Sequence, residues 1–284
     1  MRKLLTISIV ILAVCTPAIA QEPADLIAIA DASDKALNAH DLDAMMSYWA
    51  DDSIFDFVPL SAPLNGKEEI RAFFEVTFEG FPDFGTTEGR VLATGNTVVV
   101  EHSTKGTHQG VWNGIPATGN ASAMPHIDIY DFEGDKVKRI TTYSDMGGVM
   151  IQLGVVPAPE MPELVPSFTL PDAEPTGLTP LAAEAEAVAR WNSRDLADYA
   201  KMFHPDAEFF LAPLGAPMDK NAFIAMHELY LQAFSDRRAE VTRTVDLGDG
   251  WVVSEVVFLG THTGPYFGVP ATGNLFRFRG ASLH

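Results

Sequence analysis

Titratable side chains alternate with apolar ones along one β-rich segment of the chain. In an extended strand, His126, Asp128 and Tyr130 lie on one face, whereas the isoleucines between them lie on the other. By the same alternation, Tyr143 and Asp145 share a face of the next β-rich run. General acid–base catalysis needs a carboxyl group whose pKa is raised by an apolar wall, and a donor near the developing negative charge. His126, Asp128, Tyr143 and Asp145 are of the residue types that such proton-transfer chemistry uses.

Each candidate also has a structural interpretation, which the sequence leaves open. His126 fits a hydrogen-bonded histidine within a sheet, and Asp145 fits a helix cap or strand-end carboxylate next to Gly147 and Gly148. Asp128 and Tyr143 carry weaker signals. Burial in a cavity would favour the catalytic interpretation for any of them.

A second group of residues is predicted to contact a ligand, namely His108, Trp49 and Phe57. His108 has a counterpart in His262, and a repeated histidine before a glycine is equally expected of a packing residue. The aromatic residues fit a hydrophobic core, of which some members line a pocket.

Several classes of function are disfavoured by what the sequence lacks. It contains no glycine-rich phosphate loop, no clustered metal-ligand spacing and no Gly-x-Ser-x-Gly motif, so we expect no cofactor and no metal. The formal net charge of −19 repels phosphate backbones, so we expect no nucleic-acid partner. We expect a small apolar ligand or substrate instead.

The chain contains two copies of one sequence unit. Residues 106–120 realign with residues 260–274 at an offset of 154, and ten of the fifteen positions are identical. The same offset carries Asn38 onto Asn192 and Asp41 onto Asp195. Self-similarity at a fixed offset indicates a tandem duplication.

Apolar residues spaced at i, i+3, i+4 and i+7 predict an amphipathic helix in each copy. These residues are Leu42, Met45, Met46 and Trp49 in copy one, and Leu196, Tyr199, Ala200 and Phe203 in copy two. Asp41 and Asp195 precede the helices and are predicted N-caps. A second helix is predicted after Gly66, from the spacing of Ile70, Phe73, Phe74 and Phe78.

From Arg90 onward, copy one has the pattern of an antiparallel meander. Strands are predicted over residues 91–93, 98–103, 122–132 and 136–144, with turns at Gly95-Asn96 and Gly134-Asp135. Helices followed by a meander indicate an α+β fold.

These elements and motifs resemble the SnoaL-like polyketide cyclase (ester cyclase) branch of the NTF2-like superfamily. The resemblance rests on the run Gly114-Ile115-Pro116-Ala117-Thr118-Gly119, on residues 128–137, on Asp145 and on Gln152-Leu153-Gly154. It implies two tandem cone domains, each with N-terminal helices packed on a curved antiparallel sheet.

The resemblance also implies a cofactor-free mechanism. A carboxylate and a histidine in a cone-shaped pocket remove an acidic C–H proton and stabilise the enolate, which closes a ring by aldol addition. On the matching strands, the residues for these roles are Asp145, His126, Asp128 and Tyr143.

We predict the following organisation: a signal peptide over residues 1–20, domain one over 22–156, a proline-rich linker over 157–180, and an incomplete domain two over 181–284. His284 aligns with Tyr130, so copy two lacks a counterpart of the strand over 136–144. The charged, apolar and small-residue regions of the signal peptide predict a periplasmic or secreted protein with no membrane span.

Three functions remain open at this point. The first is a cyclase, isomerase or lyase acting on a small apolar carbonyl compound in the copy-one pocket. The second is a non-catalytic module that holds a ligand in the same cone. The third is a scaffold in which the two domains pair with each other or the chain homodimerises.

Overall fold

The computed structural model describes residues 22–211 and 217–284. The predicted signal peptide lies outside the described residues. Copy one contains α1 (Pro23–Asn38), α2 (Leu42–Ser47), β1 (Trp49–Phe57), β2 (Leu64–Asn65), α3 (Gly66–Gly80), β3 (Gly85–Thr86), β4 (Arg90–Thr94), β5 (Thr97–Thr107), β6 (Ala121–Glu133), β7 (Lys136–Ser144) and α4 (Met146–Gln152). The predicted α+β layout is confirmed.

The predicted helix caps are present, but both helices are shorter than their apolar spacing suggested, since the copy-two helix ends at Ala200, before Phe203. The side chain of Asp41 accepts a hydrogen bond from the amide of Ala44, and that of Asp195 accepts one from Asp198. Helix α2 ends at Ser47, and Trp49 opens strand β1 instead of continuing the helix. Its side chain is still buried, because the first strand residue points into the same core.

The seven strands of copy one form one sheet with the order β2-β1-β7-β6-β5-β3, and β4 pairs with β5. The predicted meander of β4 to β7 is antiparallel, whereas β1 pairs with β7 in parallel. Residues of α1, α2 and α3 pack with the inward face of this sheet in the largest core cluster, which includes Leu26, Met45, Ile70, Val98 and Tyr130.

Copy two contains α5 (Pro180–Ser193), α6 (Leu196–Ala200), β8 (Glu208–Phe210), β9 (Pro217–Asp219), α7 (Lys220–Ala233), β10 (Arg238–Gly248), β11 (Trp251–Thr261) and β12 (Leu275–Leu283). Strands β10, β11 and β12 form one sheet, and β8 pairs only with β9. In copy one, β7 joins β1 to the meander. The described part of copy two has no equivalent strand, so β8 and β9 remain a separate ribbon.

The outward faces of the two main sheets contact each other. Val99, Ile129 and Tyr143 of copy one share a buried cluster with Leu247 and Val253 of copy two. Ion pairs surround this cluster, since Arg243 binds Asp131 through two hydrogen bonds of 2.8 and 2.6 Å and Arg279 donates to Asp56 at 2.9 Å. The guanidinium of Arg90 lies 4.1 Å from the ring centroid of Trp251.

The segment between the copies, residues 157–179, contains neither helix nor strand. Its side chains Phe168 and Leu170 pack against the core of copy two. Among the described helices, none is long and apolar enough to cross a membrane.

Candidate functional site

Copy one encloses a cavity of about 110 Å³ between its helices and the inward face of its sheet. Most of the wall is apolar, and polar side chains converge on one part of it. The apolar lining includes Leu37, Met45, Trp49, Phe55, Phe57, Phe73, Phe74, Phe81, Phe84, Trp112, Met124 and Met146. The polar part includes Asp34, His126, Asp128, Tyr130 and Thr142. Apolar pockets with a few convergent polar groups are typical of small-molecule sites.

Two histidines and one aspartate form the centre of the polar part. His102 on β5 lies directly across from His126 on β6, and Asp128 follows two residues later on the same face. The Nε2–H of His102 donates to Asp128 Oδ2 at 3.0 Å, and His126 Nε2 lies 3.3 Å from the same oxygen. The hydroxyl of Thr142 on β7 donates to the other oxygen, Oδ1. Three side chains therefore contact the carboxylate of Asp128.

The charges of this cluster stabilise one another. Burial alone would raise the pKa of Asp128, but the neighbouring His126 and His102 outweigh it and hold the pKa well below its ordinary value. Burial likewise lowers the pKa of His126, and the Asp128 carboxylate reverses this effect, so the pKa of His126 is raised overall. Asp128 is thus an ionised anchor for the histidines and a poor proton acceptor.

A second carboxyl group, Asp34 on α1, has the opposite electrostatic environment. Its Oδ1 accepts a hydrogen bond of 2.9 Å from the hydroxyl of Tyr130. Burial, followed by repulsion from Asp128, raises the pKa of Asp34 from 3.8 to about 6. The cavity therefore contains one carboxyl group with a raised pKa and one with a lowered pKa. Such a pair can take different roles in acid–base chemistry.

Sequence reasoning missed Asp34 and His102, although each had a signal. Asp34 interrupts the buried stripe of α1 that runs through Leu26, Ala30 and Leu37, and an acid within an apolar stripe is unusual. His102 continues the inward alternation of β5 after Val98 and Val100. Without knowledge of the sheet register, neither could be connected to His126.

The structure brings four of the predicted site residues to the cavity, namely His126, Asp128, Trp49 and Phe57. His108 is fully buried elsewhere, with its ring stacked 5.1 Å from Phe81 and its Nδ1 3.2 Å from the hydroxyl of Thr118. His262 repeats this arrangement with Phe234 and Thr272. His108 thus occupies a packing site outside the cavity, which corrects the prediction that it contacts a ligand in the pocket.

Tyr143 and Asp145 lie away from the cavity. Since Thr142 points inward, its neighbour Tyr143 points outward, where its hydroxyl donates to Glu255 of copy two at 2.7 Å. Asp145 stands at the N-cap position of α4, and its carboxylate lies so close to Gly148 that a Cβ there would be 2.1 Å from Oδ2. The prediction that Tyr143 and Asp145 lie in the catalytic pocket is therefore corrected.

In copy two, Val256 and Gly280 replace the paired histidines of copy one, and aromatic side chains occupy the next cross-strand pair of positions. The cross-strand pairs His102–His126 and Thr104–Met124 of copy one become Val256–Gly280 and Phe258–Phe278, each 154 residues later. The rings of Phe258 and Phe278 stack at 4.8 Å. The counterpart of Asp128 is Ser282. Copy two therefore lacks the chemical groups of the copy-one site.

Solved structures of several other proteins are similar to parts of this chain. The chain resembles a solved protein from Jannaschia sp. CCS1 described as a SnoaL-like polyketide cyclase, at 20% identity over 50% of this chain and 97% of that one, with a TM-score of 0.44. It also resembles TsrD from Streptomyces laurentii, at 22% identity over 48% and 99%, with a TM-score of 0.44. A similarly described protein from Shewanella denitrificans OS-217 shares 23% identity over 48% and 100%, with a TM-score of 0.43.

No curated protein matches the chain. The family model for SnoaL-like polyketide cyclase matches residues 27–153 and again residues 183–284. These two regions cover most of the chain and correspond to the two copies. The chain therefore belongs to the SnoaL-like polyketide cyclase family, as a tandem duplication of its NTF2-like fold.

Proposed function

We propose that copy one is an acid–base catalyst that removes a proton from the carbon next to a carbonyl group, in a small and largely apolar compound. The observation that carries this proposal is Asp34, a cavity carboxyl group whose pKa is raised to about 6. A base with a pKa near the working pH combines a large ionised fraction with a useful affinity for the proton.

The remaining polar groups have complementary roles in this proposal. The C–H proton passes to Asp34, and the electron pair of the broken bond moves through the new C=C bond onto the carbonyl oxygen. That oxygen is directed at the imidazole of His126, whose raised pKa favours a positive charge that balances the enolate. Tyr130 orients Asp34 through its hydroxyl. Return of the proton to another carbon gives isomerisation, and attack of the enolate on a second carbonyl gives aldol cyclisation; a lyase reaction would use the same enolate.

The size of the cavity limits the substrate. An apolar cavity of roughly 150 Å³ accommodates benzene, and the copy-one cavity measures about 110 Å³. We therefore propose a short-chain or single-ring carbonyl compound, which the apolar walls hold and the polar part orients.

Deuterium exchange tests the proposal without knowledge of the natural substrate. Small cyclic ketones and enones are incubated with the protein in D2O, and loss of the α-proton signal is followed by NMR. We expect exchange above the buffer rate, reduced at least a hundredfold in Asp34→Asn. Asp31→Asn, an exposed acid of the same helix, serves as the matched control. Binding of the ketones without any exchange would instead establish the alternative, a non-catalytic ligand carrier.

We also propose that the protein is exported, with cleavage before Gln21. The ordered signal regions of residues 1–20 support this proposal. Mass spectrometry of the periplasmic or secreted protein is expected to find Gln21 at the N-terminus, and an intact Met1 would contradict it.

A further inference from the structure

The copy-one cavity contains a group of donor atoms that the proposed acid–base chemistry leaves only partly explained. His102 Nε2, His126 Nε2 and an oxygen of Asp128 all lie within 4.8 Å of one another. All three side chains are buried, and His126 and Asp128 line the cavity.

Hydrogen bonding determines which ring nitrogen of His126 is available to bind a metal ion. Its Nδ1 lies 2.9 Å from the carbonyl oxygen of Met124, which can only accept, so the ring proton is held at Nδ1. In the neutral ring, Nε2 then carries a lone pair 3.3 Å from the Asp128 carboxylate. A lone pair and a carboxylate at this distance repel each other, unless a proton or a metal ion supplies positive charge between them.

We propose that His102, His126 and Asp128 bind a divalent transition metal ion, of which Zn²⁺ is the representative, with an open coordination position facing the cavity. Ligands about 2.0–2.1 Å from a tetrahedral zinc ion lie roughly 3.4 Å apart, and those of an octahedral ion roughly 3.0 Å apart. The Asp128 oxygen lies 3.0 and 3.3 Å from the two histidine nitrogens. Small adjustments of the side chains, with the ring proton of His102 moved from Nε2 to Nδ1, would therefore place all three at bonding distance.

The surroundings fit a metal site in two further respects. The Met124 carbonyl fixes the tautomer of His126, and the hydroxyl of Thr142 holds the second oxygen of Asp128, as outer groups do around metal ligands. The same cavity wall also contains Asp34, so a divalent cation would balance two neighbouring carboxylates. Two histidines and one carboxylate with an open position are a recognised donor set for catalytic divalent metals.

The inference rests on the proposed function only for the role of the ion. A metal ion at this wall would polarise the substrate carbonyl while Asp34 removes the proton. Binding of the ion itself depends on the three ligands alone, so the two proposals can be tested separately.

The test uses the full chain without a histidine tag, stripped with a chelator and then titrated with Co²⁺ and Zn²⁺. We expect one equivalent per chain after desalting, and visible absorption from bound Co²⁺. His126→Asn is expected to lower the affinity at least tenfold, whereas His204→Asn, which alters an exposed histidine near Asp206, leaves it unchanged. If His126→Asn does not fold, Thr142→Val replaces it, with an expected loss of about 10- to 100-fold.

Two results would overturn the inference. One is the absence of stoichiometric metal uptake by the wild-type chain, which would mean that a proton supplies the positive charge. The other is unchanged affinity in a folded His126→Asn variant. Asp34→Asn separates the two proposals, because it is expected to keep the metal and lose deuterium exchange. Metal binding without exchange in the wild type would refute the proposed function alone.

Discussion

At the scale of single residues, the site depends on two buried carboxyl groups whose charged neighbours shift their pKa values in opposite directions. Asp128 is surrounded by His102, His126 and the Thr142 hydroxyl, and these donors keep it ionised. Among the residues that the structure describes, the Tyr130 hydroxyl alone donates to Asp34, and Asp128 repels it. The folded protein therefore favours the protonated form of Asp34, and the ionised form costs free energy.

This cost predicts a specific dependence of stability on pH. Because the pKa of Asp34 rises from 3.8 to about 6 on folding, its contribution to stability is present below about pH 4 and is lost as the pH rises through 6. In the presence of a chelator, Asp34→Asn is expected to exceed the wild type in unfolding free energy by about 1–3 kcal/mol at pH 8. The advantage should vanish at pH 4.

Urea denaturation at the two pH values measures this difference. Asp31→Asn is the control, because Asp31 is exposed and pairs only with Lys35 on the same helix. A difference between Asp34→Asn and wild type that stayed constant from pH 4 to pH 8 would contradict the assigned environment.

The sequence correctly predicted those side-chain positions that depend on strand alternation alone. Strand periodicity placed His126 and Asp128 on one face, and both line the cavity. It could not decide which face of β7 points inward, and Tyr143 therefore proved to contact copy two. Asp34 approaches this site from a helix almost a hundred residues earlier, and that proximity depends on tertiary packing.

At the scale of elements, the duplication explains both what copy two keeps and what it lacks. Helix caps, strand β5 as β11 and the histidine–threonine contact recur in both copies. The repeat alignment also predicted that the described part of copy two would lack a counterpart of β7. Among the described strands, β12 pairs with β11 alone. The early end of α2 was not predictable, because Trp49 fits the apolar face of either a helix or a strand.

The unpaired edge of β12 predicts faster amide exchange there than in copy one. Strand β6 lies between β5 and β7, so its amides on both sides have strand partners. Hydrogen exchange followed by mass spectrometry is expected to show less protection over residues 275–283 than over 121–133. Equal protection in a monomeric sample would contradict this assignment of the sheet edge.

At the scale of the whole molecule, copy two supports copy one without sharing its chemistry. Its outward sheet face covers Val99 and Ile129, and its arginines pair with acids of copy one. Asp56 is buried at this contact and depends on Arg139 and Arg279 for its charge balance. Sequence reasoning raised this pairing as one of three functions, but the register of the contact was not readable from either copy alone.

Removing one of these arginines is expected to weaken the whole chain. Arg279→Met leaves Asp56 with Arg139 alone and should lower the unfolding free energy by about 1–3 kcal/mol. Arg277→Met, which alters an exposed arginine of the same strand, is expected to change it by less than about 0.5 kcal/mol. Urea denaturation followed by tryptophan fluorescence compares the two variants. Equal effects would indicate that the Arg279–Asp56 ion pair contributes no stability.

The central claim is that the copy-one cavity contains a carboxyl group poised to accept a proton near neutral pH. NMR titration of the protein labelled with ¹³C at its aspartate carboxyl groups tests this directly, with Asp34→Asn identifying the signal and a chelator removing bound metal. The account predicts that the Asp34 signal titrates with a midpoint of about 6. A midpoint near the ordinary value of 3.8 would contradict it.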